Sequence, residues 1–232
     1  MRGCLLVNDT VRCILFDLDG TLYDSPPYHD RVEREIVSYV AEQLGTSEAL
    51  TASILRQKRE ELGTLTRSLQ SLGIDREQYF QTVASRVNPS QYIPKDPALQ
   101  KTIYTLRREG FKVGLVSNSG RALVVRVLEA IGVEQAIFDC IVTSSEAQPK
   151  PSHQPFLVAL KQMDCEVENA IYVGDRDEAE LRPAKELGMK TILLDRTGEA
   201  NHKWTDYTAR SMADVERIAT ELMAHDNASK SQ

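Results

Sequence analysis

The chain has 232 residues, of which 41% are apolar and 27% charged, and carries a net charge of -6. That mix excludes intrinsic disorder and supplies enough apolar side chains for one full core plus a smaller module. The acidic balance gives no positive field for a long nucleic acid or an anionic membrane, which leaves small anions held by local groups.

Near the N-terminus, Leu5-Leu6-Val7 stops at Asn8-Asp9, short of a signal-peptide core of about 7–15 residues. No apolar run approaches the ~18 residues of a membrane span, so a cytoplasmic protein is expected. Cys4, Cys13, Cys140 and Cys165 are far apart and none forms a CxxC pair. Reduced, partly buried thiols are therefore expected, with neither a zinc site nor a disulfide framework.

The first buried strand is expected at residues 11–16, ending at Asp17. Further apolar runs at 111–116, 140–142, 170–173 and 191–194 end at polar residues and read the same way. Between them lie helical stripes: Leu99, Ile103 and Leu106; Leu123, Val127, Leu128 and Ile131; Leu181, Ala184 and Leu187. A last helix is expected around Val215, Ile218 and Leu222, with a frayed polar end after His225. Strands alternating with helices predict an α/β fold, a three-layer Rossmann-like parallel sheet whose ligands sit at the carboxyl ends of the strands.

Residues 25–94 break the alternation. Val32, Ile36, Val40 and Leu44 form one helical stripe, Leu50 through Leu69 a longer one, and Tyr79, Phe80 and Val83 a third. The expected organisation is a core domain of residues 1–24 and 95–232 with an inserted α-helical cap domain at 25–94. The insertion leaves the sheet beside Asp17, which makes it a candidate lid rather than a remote bundle.

Four signals fall at strand ends. Asp17 and Asp19 lie two apart before Gly20, on one face of a continuing strand, although Asp19-Gly20 also suits an ordinary tight turn. Asp175 follows Gly174 and, with Asp17, offers two hard oxygen ligands for Mg2+. The Ser117-Asn118-Ser119-Gly120 loop can bond phosphate oxygens, with Ser119 as helix N-cap the alternative. Lys150 is held between Pro149 and Pro151, a stiffened site for an ammonium facing a phosphate dianion.

Taken in this order, the residues resemble the haloacid dehalogenase-like superfamily of aspartate-nucleophile phosphatases. Asp17-Leu18-Asp19-Gly20-Thr21-Leu22 resembles that family's first motif, Ser117 its second, Lys150 its third and Gly174-Asp175 its fourth. The resemblance implies an Mg2+-dependent phosphatase with Asp17 as nucleophile, Asp19 as general acid and base, and Ser117 and Lys150 holding the transferred oxygens. It implies a metal held by Asp17, Asp175 and Asp19, the last through its main-chain carbonyl. Asn118 and Thr21 are expected at the substrate. The family's fourth motif carries a second aspartate where this chain has Glu180. Glu180 either replaces it or forms a helix capping box with Asp177.

The partner expected is a small phosphorylated metabolite, met by a monomer or homodimer. Gly63-Thr64-Leu65-Thr66-Arg67 resembles a stretch of pyrimidine 5'-nucleotidase-like members, which would bring Arg67 to the substrate; a solvated helix charge is the alternative. Nucleoside 5'-monophosphate, phosphoglycolate and sugar phosphates all stay open. A hydrolytic dehalogenase has no use for Asp19 and Asp175. A sugar phosphomutase uses the same residues, and a silent binding protein is disfavoured because none of Asp17, Asp19, Lys150 and Asp175 is lost.

Overall fold

The computed structural model describes residues 11–198 and 202–228, so Cys4 and the Leu5-Leu6-Val7 run lie outside the described residues. Six parallel strands form one sheet in the order β3-β2-β1-β4-β5-β6: β1 Cys13–Phe16, β2 Lys112–Val116, β3 Cys140–Val142, β4 Ala170–Gly174, β5 Lys190–Leu194 and β6 Tyr207–Ala209. The order runs outward in both directions from the β1–β4 pair, so the crevice of the sheet opens at their carboxyl ends. In that pair Phe16 lies opposite Val173, which brings Asp17 and Asp175 to the same rim.

Both sheet faces are covered, so the strands read as continuous apolar runs. On one face Ile14, Phe16, Val113, Leu115, Ile171 and Val173 pack with α5 (Pro97–Arg108), α6 (Arg121–Ile131) and α9 (Met212–Ala228). On the other, Leu15, Val116, Val142 and Tyr172 pack with α7 (Gln154–Gln162) and α8 (Arg182–Leu187). Each fully buried Leu, Ile or Phe contributes about 1.5–3 kcal/mol, and the central strand β1 is buried at every position. The predicted α/β class is the one observed. α9 continues past His225, and among the described residues no helix is long and apolar enough to cross a membrane.

Four helices stand between β1 and α5: α1 (Pro26–Leu44), α2 (Glu48–Leu62), α3 (Leu65–Ser71) and α4 (Arg76–Arg86). Ser25 starts α1 by accepting from the Tyr28 amide at 3.4 Å, and Pro26 fills the first turn, where no amide donor is needed. The single long stripe expected from Leu50 to Leu69 is two helices. Gly63 leaves the helical conformation and Thr64 caps α3 by accepting from the Arg67 amide at 3.3 Å. The insertion's two ends are tied, since Ser25 Oγ donates to the Tyr92 carbonyl at 3.0 Å.

The expectation for the cysteines is overturned. Cys13 and Cys165 are joined by a disulfide across 152 residues, while Cys140 is free and buried. β1 and β4 are paired neighbours, and Cys165 sits in the turn that leads into β4, so the pairing arises from sheet order and is invisible in sequence spacing.

Candidate active site

Asp17 follows the last residue of β1 and its amide donates to the Val173 carbonyl at 2.9 Å, which fixes it against β4. It is 2% exposed, and its Oδ1 accepts from the ammonium of Lys150. Lys150 is fully buried, an arrangement tolerated only because every proton has an acceptor. Its Nζ also meets Tyr172 Oη at 2.8 Å, the Val116 carbonyl at 3.1 Å and Glu180 Oε1 at 3.1 Å. Asn118 clamps the loop that carries it: Nδ2 donates to the Lys150 carbonyl at 2.9 Å and Oδ1 accepts from the Lys150 amide at 2.7 Å.

Glu180 is fully buried in a wide helical turn, Asp177–Leu181, that precedes α8. Arg176 reaches it through Nη2 at 2.8 Å. Carboxylate oxygens of Asp17, Asp175 and Glu180 lie within 4.8 Å of one another. Each residue also keeps one buried oxygen without a hydrogen-bond partner: Asp17 Oδ2, Asp175 Oδ1 and Glu180 Oε2. Three carboxylates thus face two cations. Buried acceptors rarely stay unsatisfied, and hard oxygen donors of this kind fit a divalent cation.

The charges respond to one another. Burial, reinforced by Glu180, holds the Asp17 carboxyl well above its ordinary range against the pull of Lys150. Burial and the same neighbour push Asp175 up to about 6. Burial also acts to raise Glu180, but Lys150 and Arg176 outweigh it and its carboxyl sits below the usual range. For Lys150, burial favours the neutral amine, yet Asp17 and Glu180 hold it protonated, above its ordinary value.

Asp19 belongs to a second set of contacts. Its carboxylate accepts from Tyr23 Oη, from Ser119 Oγ at 2.9 Å and from Ser117 Oγ at 3.5 Å. Burial and the adjacent Asp19 push the Tyr23 phenol upward, so it remains a donor. Between the two aspartates and Asp175 the backbone must turn tightly: Gly20 has φ +86°, and a Cβ there would lie 2.3 Å from Asp175 Oδ2. Arg196, beyond β5, holds this turn by donating to the Gly20 carbonyl and, at 2.7 Å, to that of Thr21.

These groups form one end of a cavity of about 600 Å³ whose wall includes Asp19, Asn118, Ser119, Lys150 and Asp175. The insertion supplies the other end through α1, α2, α4 and the α2–α3 turn. It rests directly on the loop after β2, where a Cβ on Gly120 would come 2.2 Å from the Phe80 ring.

Residues 14–194 match the family described as haloacid dehalogenase-like hydrolase. The chain belongs to that family. Among curated relatives of this hydrolase, a glyceraldehyde 3-phosphate phosphatase of Methanocaldococcus jannaschii is 26% identical, over 91% of the chain and 98% of the relative. A phosphoglycolate phosphatase of Aquifex aeolicus is 28% identical, over 90% of the chain and 96% of the relative. Among solved structures, an HAD phosphatase from Thermococcus onnurineus shares the fold with a TM-score of 0.69 at 22% identity, covering 89% of the chain and 97% of that structure.

Of the residues singled out in the hydrolase sequence, Asp17, Lys150 and Asp175 come together, and Asp19, Ser117 and Asn118 adjoin them. Ser117 is buried and accepts from the Ser119 amide at 3.0 Å; the hydroxyl on the cavity wall is that of Ser119. Ser119 is not an N-cap, since Gly120 occupies that position without a side-chain bond. Thr21 is fully buried with its hydroxyl unpartnered and lies off the cavity wall. Arg67 is exposed on α3, off the wall as well; the guanidinium of the insertion that lines the cavity is that of Arg59. The capping-box alternative fails: Asp177 accepts from the Lys203 and Trp204 amides, and Glu180 joins Asp17 and Asp175. The side chain of Asp19 is not part of that trio.

Sequence reasoning missed Tyr23, Ser119 as a contact of Asp19, Arg176, and Arg196. Tyr23 stands four residues after Asp19 and directly follows the first motif, a local signal that was there to read. Arg196 is 176 residues from Gly20, and nothing local announces it.

Proposed function

We propose that this chain, a phosphoric monoester hydrolase, cleaves a small phosphate ester through a phosphoryl group carried on Asp17 and requires Mg2+. The observation that carries the reading is the trio of buried, unpartnered oxygens on Asp17, Asp175 and Glu180 beside a fully buried lysine. Mg2+ held by these three residues, together with the expected main-chain carbonyl of Asp19, would neutralise phosphate charge next to an anionic nucleophile.

The protein's own groups account for the remaining roles. Lys150 keeps Asp17 in one orientation and offers its charge to a phosphoryl oxygen. Asp17 attacks phosphorus as the ester oxygen departs, and the departing alcohol takes a proton from Asp19, which lines the cavity. Asp19 then removes a proton from the water that cleaves the acyl phosphate, which frees Asp17 and inorganic phosphate. Tyr23, Ser117 and Ser119 orient that carboxyl. The insertion acts as a cap domain, residues 25–94, and its Phe80 seals the loop after β2 against water.

The relatives' names, glyceraldehyde 3-phosphate phosphatase and phosphoglycolate phosphatase, support a small ester as substrate. The nucleotide alternative loses its cap contact with Arg67. Phosphate release from both esters, with Mg2+ and with EDTA, tests the reading. Release is expected with Mg2+ alone, absent in Asp17→Asn, and lost in Asp19→Asn without loss of Mg2+ binding. Turnover in Asp17→Asn removes the nucleophile from the scheme. A rearranged ester that needs a bisphosphate primer identifies a mutase instead.

A further inference from the structure

The end of the cavity remote from Lys150 is built by the insertion, and its charged groups there are already matched. Arg59 on α2 and Glu33 on α1 both line the wall and pair with each other, Nη2 to Oε2, at 2.8 Å. Arg59 Nε is buried and has no hydrogen-bond partner. His29 Nε2 is likewise buried and unpartnered, on a ring 5.7 Å from that of Tyr23, the residue bonded to Asp19. The leaving group of a bound ester therefore meets, on this wall, a guanidinium and a carboxylate that already neutralise each other.

We infer that the leaving group is an uncharged hydroxyl- or carbonyl-bearing carbon chain, so that the substrate is a sugar or polyol monophosphate. This rests on the phosphatase reading above. A neutral oxygen can accept from the part-exposed Arg59 guanidinium, and a hydroxyl can donate to Glu33, without disturbing their ion pair. A carboxylate or second phosphate has no spare cation on the insertion's wall. It meets Glu33 and Asp24, both of which line the cavity, as like charges, which disfavours its binding. Tyr79 and Phe80 supply apolar wall for C–H faces, and the ~600 Å³ volume falls within the small-ligand range.

The test compares kcat/KM on glyceraldehyde 3-phosphate, phosphoglycolate, ribulose 1,5-bisphosphate and p-nitrophenyl phosphate, in the wild type and in Glu33→Gln. The wild type is expected to prefer glyceraldehyde 3-phosphate over both charged esters by about tenfold or more. Glu33→Gln frees Arg59 and is expected to shrink the preference over phosphoglycolate by about fivefold or more, chiefly through KM. Glu33 is half-exposed, so the variant folds, and p-nitrophenyl phosphate turnover checks its phosphoryl end. Equal use of the charged esters by the wild type, or an unchanged ratio in Glu33→Gln, overturns the inference while leaving a phosphatase. No hydrolysis of any ester, p-nitrophenyl phosphate included, overturns the phosphatase reading and this inference with it.

Discussion

Lys150→Met isolates what the buried ammonium does. Methionine keeps much of the length and volume but removes the charge that faces Asp17 and Glu180 in a fully buried site. The Tyr172 hydroxyl and the Val116 carbonyl lose their donor as well. Removing one member of a buried ion pair costs about 3–5 kcal/mol, because the remaining charge stays uncompensated. Glu180 retains Arg176, so the greater part of the loss falls on Asp17. With an m-value of about 3 kcal/mol/M, a loss of ~4 kcal/mol lowers the urea midpoint in EDTA by about 1.3 M. Adding Mg2+ is expected to raise the variant's midpoint more than the wild type's, because the variant's carboxylates have more charge left to neutralise. Asp17→Asn in the Lys150→Met background should recover part of the loss, with a coupling of about 0.5–3 kcal/mol. A midpoint within about 0.2 M of wild type, inside the scatter of ordinary surface substitutions, would refute the view of Lys150 as the counter-charge of the site.

Gly20→Ala places a methyl 2.3 Å from Asp175 Oδ2 at φ +86°; stability is expected to fall by about 1–3 kcal/mol, with Mg2+ affinity weakened in a calorimetric titration. Unchanged Mg2+ affinity would separate Asp175 from the metal. Gly120→Ala drives a methyl to 2.2 Å from Phe80; the insertion must shift, and faster proteolysis within residues 25–94 is the expected readout, with a wild-type cleavage pattern the contrary result. Asp206 is partly buried, which raises its carboxyl, but bonds from Lys185 and Thr191 prevail and hold it below the usual range. Its contribution is therefore present at neutral pH and is lost as pH falls through the folded value. Asp206→Asn is expected to destabilise the protein at pH 7 by a surface-pair amount, up to about 1 kcal/mol, and the difference from wild type is expected to shrink in acid as pH falls through the lowered folded value; a difference that does not shrink argues for a packing effect.

The sheet was legible because a parallel strand buried on both faces must be apolar throughout. Residues 13–16, 113–116 and 170–173 carry that signal with little else to confuse it. β6 escaped notice since two of its three residues, Tyr207 and Thr208, are exposed and it is an edge strand. The α2–α3 break escaped because Leu62 and Leu65 continue the apolar spacing across it, whereas the conformation of Gly63 depends on the turn it makes.

The site divides along a similar line. Asp17, Asp19, Lys150 and Asp175 could be read as strand-end residues because a parallel sheet delivers every strand's carboxyl end to one rim, whatever the order of the strands. Which hydroxyl meets Asp19, and whether Glu180 points inward, depends on side-chain direction within a loop or an irregular turn. Ser117 and Ser119 are equally good candidates on paper; the fold buries the first and puts the second on the cavity wall. Glu180 is decided by the wide turn Asp177–Leu181, which places its carboxylate beside Lys150 rather than at a helix N-terminus. With an aspartate at that position the side chain would be one methylene shorter, and its reach to Lys150 and Arg176 would have to come from the backbone. Glu180→Asp therefore tests that turn: if the wide geometry serves to accommodate the longer acid, the variant keeps the charge but loosens the Lys150 contact, and turnover should fall while the fold survives. Full activity in Glu180→Asp would show that the turn adapts to either acid and that the extra methylene has no consequence for the site.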